Sequence, residues 1–215
     1  MNKSLWLGMF IVVFVGSVTI ATIMTVNAQD DATVTMQINP GWNLIGTGTD
    51  RDQSLFSEAK YIFVYIPVLN KYFPLKPESE SEKIKAQNEL SAKGLNIESI
   101  DQRIRGSYWY YFPTKKTLTV NVYSKKDIRL FSGWNFRYIE PWMAGNKISD
   151  ISGTCSVKKM YGFDSERQTW KNISLQSNDT LKASEIGAGF LLSVDNECSL
   201  GLKTPEMPAL PALPN

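Results

Sequence analysis

The sequence predicts a mainly β protein of two tandem small modules, sandwich or barrel-like, and three observations predict it. The first is a repeat: Gly41-Trp42-Asn43-Leu44-Ile45 returns once, as Gly133-Trp134-Asn135-Phe136-Arg137. The second is a hairpin pattern downstream of each copy. Tyr61-Ile62-Phe63-Val64-Tyr65 precedes a turn and Lys71-Tyr72-Phe73, and Lys159-Met160-Tyr161-Gly162-Phe163 precedes a polar turn and Thr169-Trp170. The gap from Tyr65 to Tyr72 equals that from Phe163 to Trp170, as two hairpins of one loop length require. The third is a later landmark, with Gly106-Ser107-Tyr108-Trp109-Tyr110 standing where Gly187-Ala188-Gly189-Phe190-Leu191 stands. A short closing strand comes after each, at 117 to 122 and at 198 to 202. Landmarks repeated in one order read as a duplication.

This pattern resembles the Gly-Trp-Asn-Leu-Ile type β modules found, often in tandem, on secreted and surface-attached proteins of archaea and bacteria. The resemblance covers roughly residues 33 to 203. It implies a non-enzymatic protein and adds little chemistry. Two positions depart from the pattern: Arg137 replaces the second apolar residue after Asn, and Tyr108 replaces the Gly expected just before Trp109.

Composition bounds the rest. At 215 residues and 43% hydrophobic, the chain can bury a core of one or two domains. A net charge of +2 gives no electrostatic reason to invoke nucleic acid. The chain has no histidine, which removes the commonest general base and the commonest metal ligand together.

Residues 1–28 read as a signal peptide or signal anchor. Lys3 is followed by an apolar or small run over residues 5–26, and Val26-Asn27-Ala28 offers small residues at the positions a signal peptidase favours. The run is also long enough to span a bilayer if uncleaved, so both fates stay open. Either places the bulk of the chain outside the cytoplasm, secreted or anchored on the outer face of the cytoplasmic membrane.

The first module, 29–123, opens with a strand whose Val34, Met36 and Ile38 alternate with Thr33, Thr35 and Gln37. Asn39-Pro40-Gly41 makes the turn, and Trp42 to Ile45 return. Trp42 and Trp134 read as core residues after a tight turn, with display for stacking on a sugar as the alternative. An insert at 77–104 has no counterpart in the second module. Residues 77–93 favour a helix bounded by Pro77 and Gly94, with Ile84 and Leu90 its only large apolar residues, hence a solvated projection. A partner-binding helix is the alternative. Residues 95–104 read as a short helical turn docking back. The strand Tyr108-Trp109-Tyr110-Tyr111-Phe112 comes next, and alternation lets only one set of its rings face inward. The outward set supplies a candidate contact patch, Trp109 and Tyr111, with Trp142 as a third ring.

The second module, 124–203, joins through too few residues to be a flexible linker. It reads as a strand at 127–131, the Gly133 turn, a helical segment near 148–151, a hairpin centred on Ser165-Glu166, and two final strands. Cys155 and Cys198 are the only cysteines, and an exported chain predicts that they pair. Ser57 and Thr117 stand at the matching places of the first module, so both partners are absent there together. Closing a loop of about 43 residues contributes about 3 to 4 kcal/mol in the loop-entropy account.

No catalytic constellation, metal-ligand spacing or cofactor loop emerges. Asn172 and Asn178 open glycosylation sequons, which matter only if the host glycosylates. In the tail, 204–215, prolines recur every third residue, the period of polyproline II; a disordered terminus and a docking peptide are the two readings. The sequence therefore predicts a non-catalytic structural or adhesion protein whose partner is a cell-envelope protein or polysaccharide. The alternative is a carbohydrate-binding module, which needs a coplanar row of exposed rings drawn from Trp109, Tyr111 or Trp142.

Overall fold

The computed structural model describes residues 31–47, 53–76, 79–94, 106–124 and 128–203. The expected leader at 1–28, the turn of helix at 95–104 and the tail at 204–215 lie outside the described residues.

The fold is mainly β, built of antiparallel sheets. The first half contributes β1 (Ala32–Ile38), β2 (Gly41–Ile45), α1 (Gln53–Glu58), β3 (Tyr61–Ile66), β4 (Lys71–Lys76), α2 (Glu80–Ala92), β5 (Tyr108–Phe112) and β6 (Lys116–Val122). The second contributes β7 (Ile128–Leu130), β8 (Gly133–Tyr138), α3 (Ile148–Ile151), β9 (Val157–Asp164), β10 (Thr169–Asn172), β11 (Gly189–Val194) and β12 (Cys198–Leu200). The pairings repeat one for one. β1 pairs β6 and the four-stranded order is β2-β5-β3-β4; in the second half β7 pairs β12 and the order is β8-β11-β9-β10.

The repeated Gly-Trp-Asn explains the shared start of both sheets. Gly41 and Gly133 take φ of 96° and 92°, which a side chain resists. The asparagine two residues on then ties the turn. Asn43 Nδ2 donates to the carbonyls of Asn39 and Gly41, and its Oδ1 accepts the Asn39 N–H. Asn135 makes the same three bonds with Phe131 and Gly133. Both asparagines are buried, so these bonds satisfy polar groups that water does not reach.

Strand registers fix which residues correspond. Tyr65 pairs with Tyr72 and Phe163 with Trp170, so the equal gap in the sequence is an equal hairpin register. At β5 the sequence alignment slips by one residue. Gly41 faces Phe112 and Gly133 faces Val194, so Tyr108 corresponds to Phe190 and Ser107 to Gly189. Because side chains alternate, a one-residue slip would exchange faces, and Tyr108 and Phe190 are indeed both buried. The same count makes Lys116, not Thr117, the counterpart of Cys198, since Ile38 faces Lys116 as Leu130 faces Cys198.

Tyr108, Tyr110 and Phe112 point into the core of the first half, with Phe73, Ile62, Val120 and Val122. Met160, Phe190 and Leu192 of the second half belong to the same continuous buried cluster. Tyr138 joins the halves, its ring against Gly46 and its hydroxyl donating to the Tyr123 carbonyl at 3.1 Å. The insert helix is not wholly solvated. Ser79 caps it by accepting the Glu82 N–H, Ile84 is exposed as expected, and Ala86 and Leu90 are buried. One narrow edge is enough to dock the helix beside β4, where Lys71 also pairs with Glu89 at 2.5 Å.

Candidate functional site

The faces of the two main sheets that carry Trp42 and Trp134 are not core faces. Trp42 is half-buried and Trp134 is 37% exposed, which corrects the reading of both rings as core. Glycine, asparagine and the second apolar residue of the motif face inward, so tryptophan must face outward. These outward faces are where the halves meet. Leu44, Tyr65 and Phe136 are buried in a separate small cluster, flanked by Trp109, Phe163 and Leu191. Leu44 corresponds to Phe136, Tyr65 to Phe163 and Trp109 to Leu191, so each half offers the same positions to the other, as in a two-fold interface.

The seam is tightly fitted. A Cβ on Gly189 would fall 2.3 Å from the Leu44 side chain, and one on Gly46 would fall 2.2 Å from the Tyr138 ring. Ile45 forms a bridge to Ala188, and the Gly46 N–H donates to the Gly187 carbonyl at 3.0 Å. Trp109 sits edge to face with Phe163 at 4.7 Å and with Trp170 at 5.6 Å between centroids.

Beyond the seam, the first sheet keeps an aromatic face. Trp42 meets Phe63 at 5.7 Å, Tyr111 at 5.2 Å and Trp109 at 6.4 Å, with ring planes 69°, 71° and 88° apart. Tyr61 adds a tilted contact to Tyr111 at 5.6 Å. An open groove of about 570 Å³ runs between the halves, lined by Trp42, Phe63, Tyr72, Trp109, Phe163 and Gln168. Burial raises the Tyr72 phenol above its usual range, while a hydrogen bond with Trp109 acts in the opposite sense.

The wall of this groove is held by the β9–β10 turn. Trp42 N–H donates to Gln168 Oε1, Gln168 Nε2 donates to the Trp42 carbonyl, both at 2.8 Å, and Asn39 Nδ2 donates to Ser165 Oγ at 2.9 Å. Of the predicted contact rings, Trp109 and Tyr111 lie on this face. Trp142 does not. It is buried, and its indole N–H donates to Glu140 Oε2 at 2.8 Å. Glu140 is itself buried and faces the Arg137 guanidinium, which occupies the place of Ile45. Burial lowers Arg137 to about 10, and Glu140 pulls in the other direction. Trp142 therefore belongs to an interior polar group that accommodates the buried arginine. Gln168 is a site residue that sequence reasoning missed, since a polar turn residue carries no sign of what its carboxamide will reach.

A second cavity, about 710 Å³, lies in the second half beside β9 and β10. Its carboxylates are engaged. Asp164 pairs with Lys171 at 2.5 Å and accepts the turn N–H groups of Glu166 and Arg167, which hold its carboxyl below the usual range, Lys171 foremost. Glu185 accepts the Lys182 N–H, and Asp179 accepts from Ser177 Oγ. Among the described residues no three Asp, Glu or Cys side chains gather where they could hold a metal ion. Cys155 and Cys198 form the disulfide, with Cα atoms 5.1 Å apart. Asn172 and Asn178 are exposed, and Asn178 Oδ1 accepts from Lys147 Nζ.

No family model matches the chain, and no curated protein and no solved structure matches it.

Proposed function

We propose that the protein is a non-catalytic, exported structural or adhesion protein, two tandem β modules of one fold, which binds a protein of the cell envelope through the aromatic face of its first half and the groove beside it. The observation that carries this reading is the angle between the rings. A sugar stacks flat on an aromatic face, so a polysaccharide platform needs several rings in one plane. Trp42 stands instead at 88° to Trp109 and at 71° to Tyr111, so it shares a plane with neither, and Trp142 is interior. Rings set edge to face enclose a cleft, which suits an apolar side chain inserted from a partner. The leader sequence and the disulfide are compatible with a place outside the cytoplasm.

The test is sedimentation of the full-length protein with the host's own envelope, before and after enzymatic removal of polysaccharide. Binding that persists supports a protein partner. Binding that vanishes with the polysaccharide overturns this reading in favour of carbohydrate recognition, and no binding at all overturns the adhesive role.

A further inference from the structure

The outer hairpins of the two halves match in register and differ at their exposed edges. β4 and β10 are both edge strands, and the turn before each ends on a left-handed residue, Asn70 with φ of 49° and Gln168 with φ of 52°. In the first half that edge is protected twice. The insert helix docks beside β4, and Pro74 stands in the strand, a residue with no N–H to offer a further strand. The second half has neither. Residues 173–182 form no helix, and all four residues of β10 are exposed. Tyr65 with Tyr72 and Phe163 with Trp170 are equivalent pairs, so the counterpart of Pro74 is Asn172. Asn172 opens the tripeptide Asn172-Ile173-Ser174, the acceptor sequence for an N-linked sugar. It lies across from Tyr161, and among the described residues no hydrogen bond engages its carboxamide. Asn172 and Ser174 are both exposed. The second such tripeptide, Asn178-Asp179-Thr180, is tied down. Asn178 Oδ1 accepts from Lys147 Nζ at 3.1 Å, Asp179 accepts from Ser177 Oγ at 2.7 Å, and Thr180 bridges to Lys147.

We propose that Asn172, and not Asn178, carries an N-linked glycan that shields the open edge of β10. The bond formed joins Asn172 Nδ2 to the anomeric carbon of a sugar supplied as a lipid-linked phosphate ester. The bond broken runs from that carbon to the phosphate oxygen. The lipid phosphate leaves with the electron pair, one Nδ2 proton passes to a base of the host's transferase, and nothing is oxidised or reduced. Ser174 supplies the hydroxyl that the acceptor sequence demands two residues on. A glycan is bulky and solubilising, so at this edge it bars the approach of another strand, as the helix and the proline do in the first half. Glycosylation of Asn172 rests on the export proposed above and is independent of what the aromatic face binds.

The experiment is peptide mass analysis of the full-length protein purified from its own host, with extracytoplasmic and cytoplasmic fractions kept apart. Tryptic cleavage after Lys171 and Lys182 releases residues 172–182, which hold both acceptor asparagines, and fragmentation assigns the sugar to one of them. In the extracytoplasmic fraction the added mass is expected on Asn172. It should vanish in Asn172→Gln and in Ser174→Ala, and persist in Asn178→Gln and in Ser174→Thr, which keeps the hydroxyl. An exported chain whose peptide has its bare mass, or carries sugar on Asn178 alone, would overturn the proposal. Recovery of the chain from the cytoplasm alone would overturn the export as well.

Discussion

The two halves share a chain path and differ in how that path is secured. At the end of α1 and the start of β6, Lys116 pairs with the Glu58 carboxylate. At the corresponding place of the second half, Cys155 is bonded to Cys198. An ionic contact and a covalent one thus hold the same junction. Their outer faces differ too: Tyr61 and Tyr111 in the first half stand where Lys159 and Ser193 stand in the second. Residues that set backbone geometry, the motif glycine and asparagine and the left-handed turn position, are matched. Residues that set chemistry are not. The comparison teaches that the fold is carried by a few backbone-directed contacts, which leaves the surfaces open to specialise.

Removing the covalent lock should have the largest effect. Replacing Cys155 and Cys198 together with serine is expected to destabilise the second half by about 3 to 4 kcal/mol, read by urea denaturation. Reduction should reproduce the loss, and it should leave the first half's Lys116–Glu58 junction unaltered. Equal sensitivity of both halves to reductant would break the comparison.

Next come the asparagines. Asn43→Ala and Asn135→Ala each remove three hydrogen bonds at a buried turn, so each is expected to cost about 2 to 3 kcal/mol. Similar losses would sharpen the claim that the two motifs do one job. A loss at only one of them would contradict it.

The smallest effect belongs to the exposed ion pair. Lys116, through its hydrogen bond first and its charge second, holds the Glu58 carboxyl below its usual 4.5. A carboxyl lowered in the folded state contributes stability above its unfolded value and loses it as pH falls through the lowered one. Lys116→Ala should therefore cause only a slight fall in melting temperature at pH 7, and the difference from the wild type should disappear in acid. The disulfide of the second half does not titrate, so its contribution should persist there.

Much of this was legible in the sequence. Tyr65, Tyr72, Phe163 and Trp170 revealed a true register because a hairpin's loop length can be counted along the chain. The disulfide was legible from paired absences. Matching Gly106 to Gly187 misled by one residue, because glycine marks a local backbone need and not a fixed strand position. The faces of Trp42 and Trp134 were misread because hydrophobicity says that a ring is buried but not against what. Leu90 was assigned to a solvated helix because one apolar edge is too weak a signal alone, although it suffices when β4 lies beside it. The seam was invisible for a different reason: it forms only where two distant segments approach, and Gln168 lies 126 residues from Trp42.

The central claim is that the aromatic face of the first half is the contact surface. It is tested most directly by sedimenting envelope, stripped of polysaccharide, with full-length Tyr111→Ser, Trp42→Ala and Ser193→Tyr proteins. The first gives the first half the residue that the second half carries at that place, and the last does the reverse. The account predicts that Tyr111→Ser and Trp42→Ala each reduce the bound fraction about tenfold, the weight of a central aromatic contact, while Ser193→Tyr leaves it unchanged. Unaltered binding of folded Tyr111→Ser and Trp42→Ala proteins would contradict it.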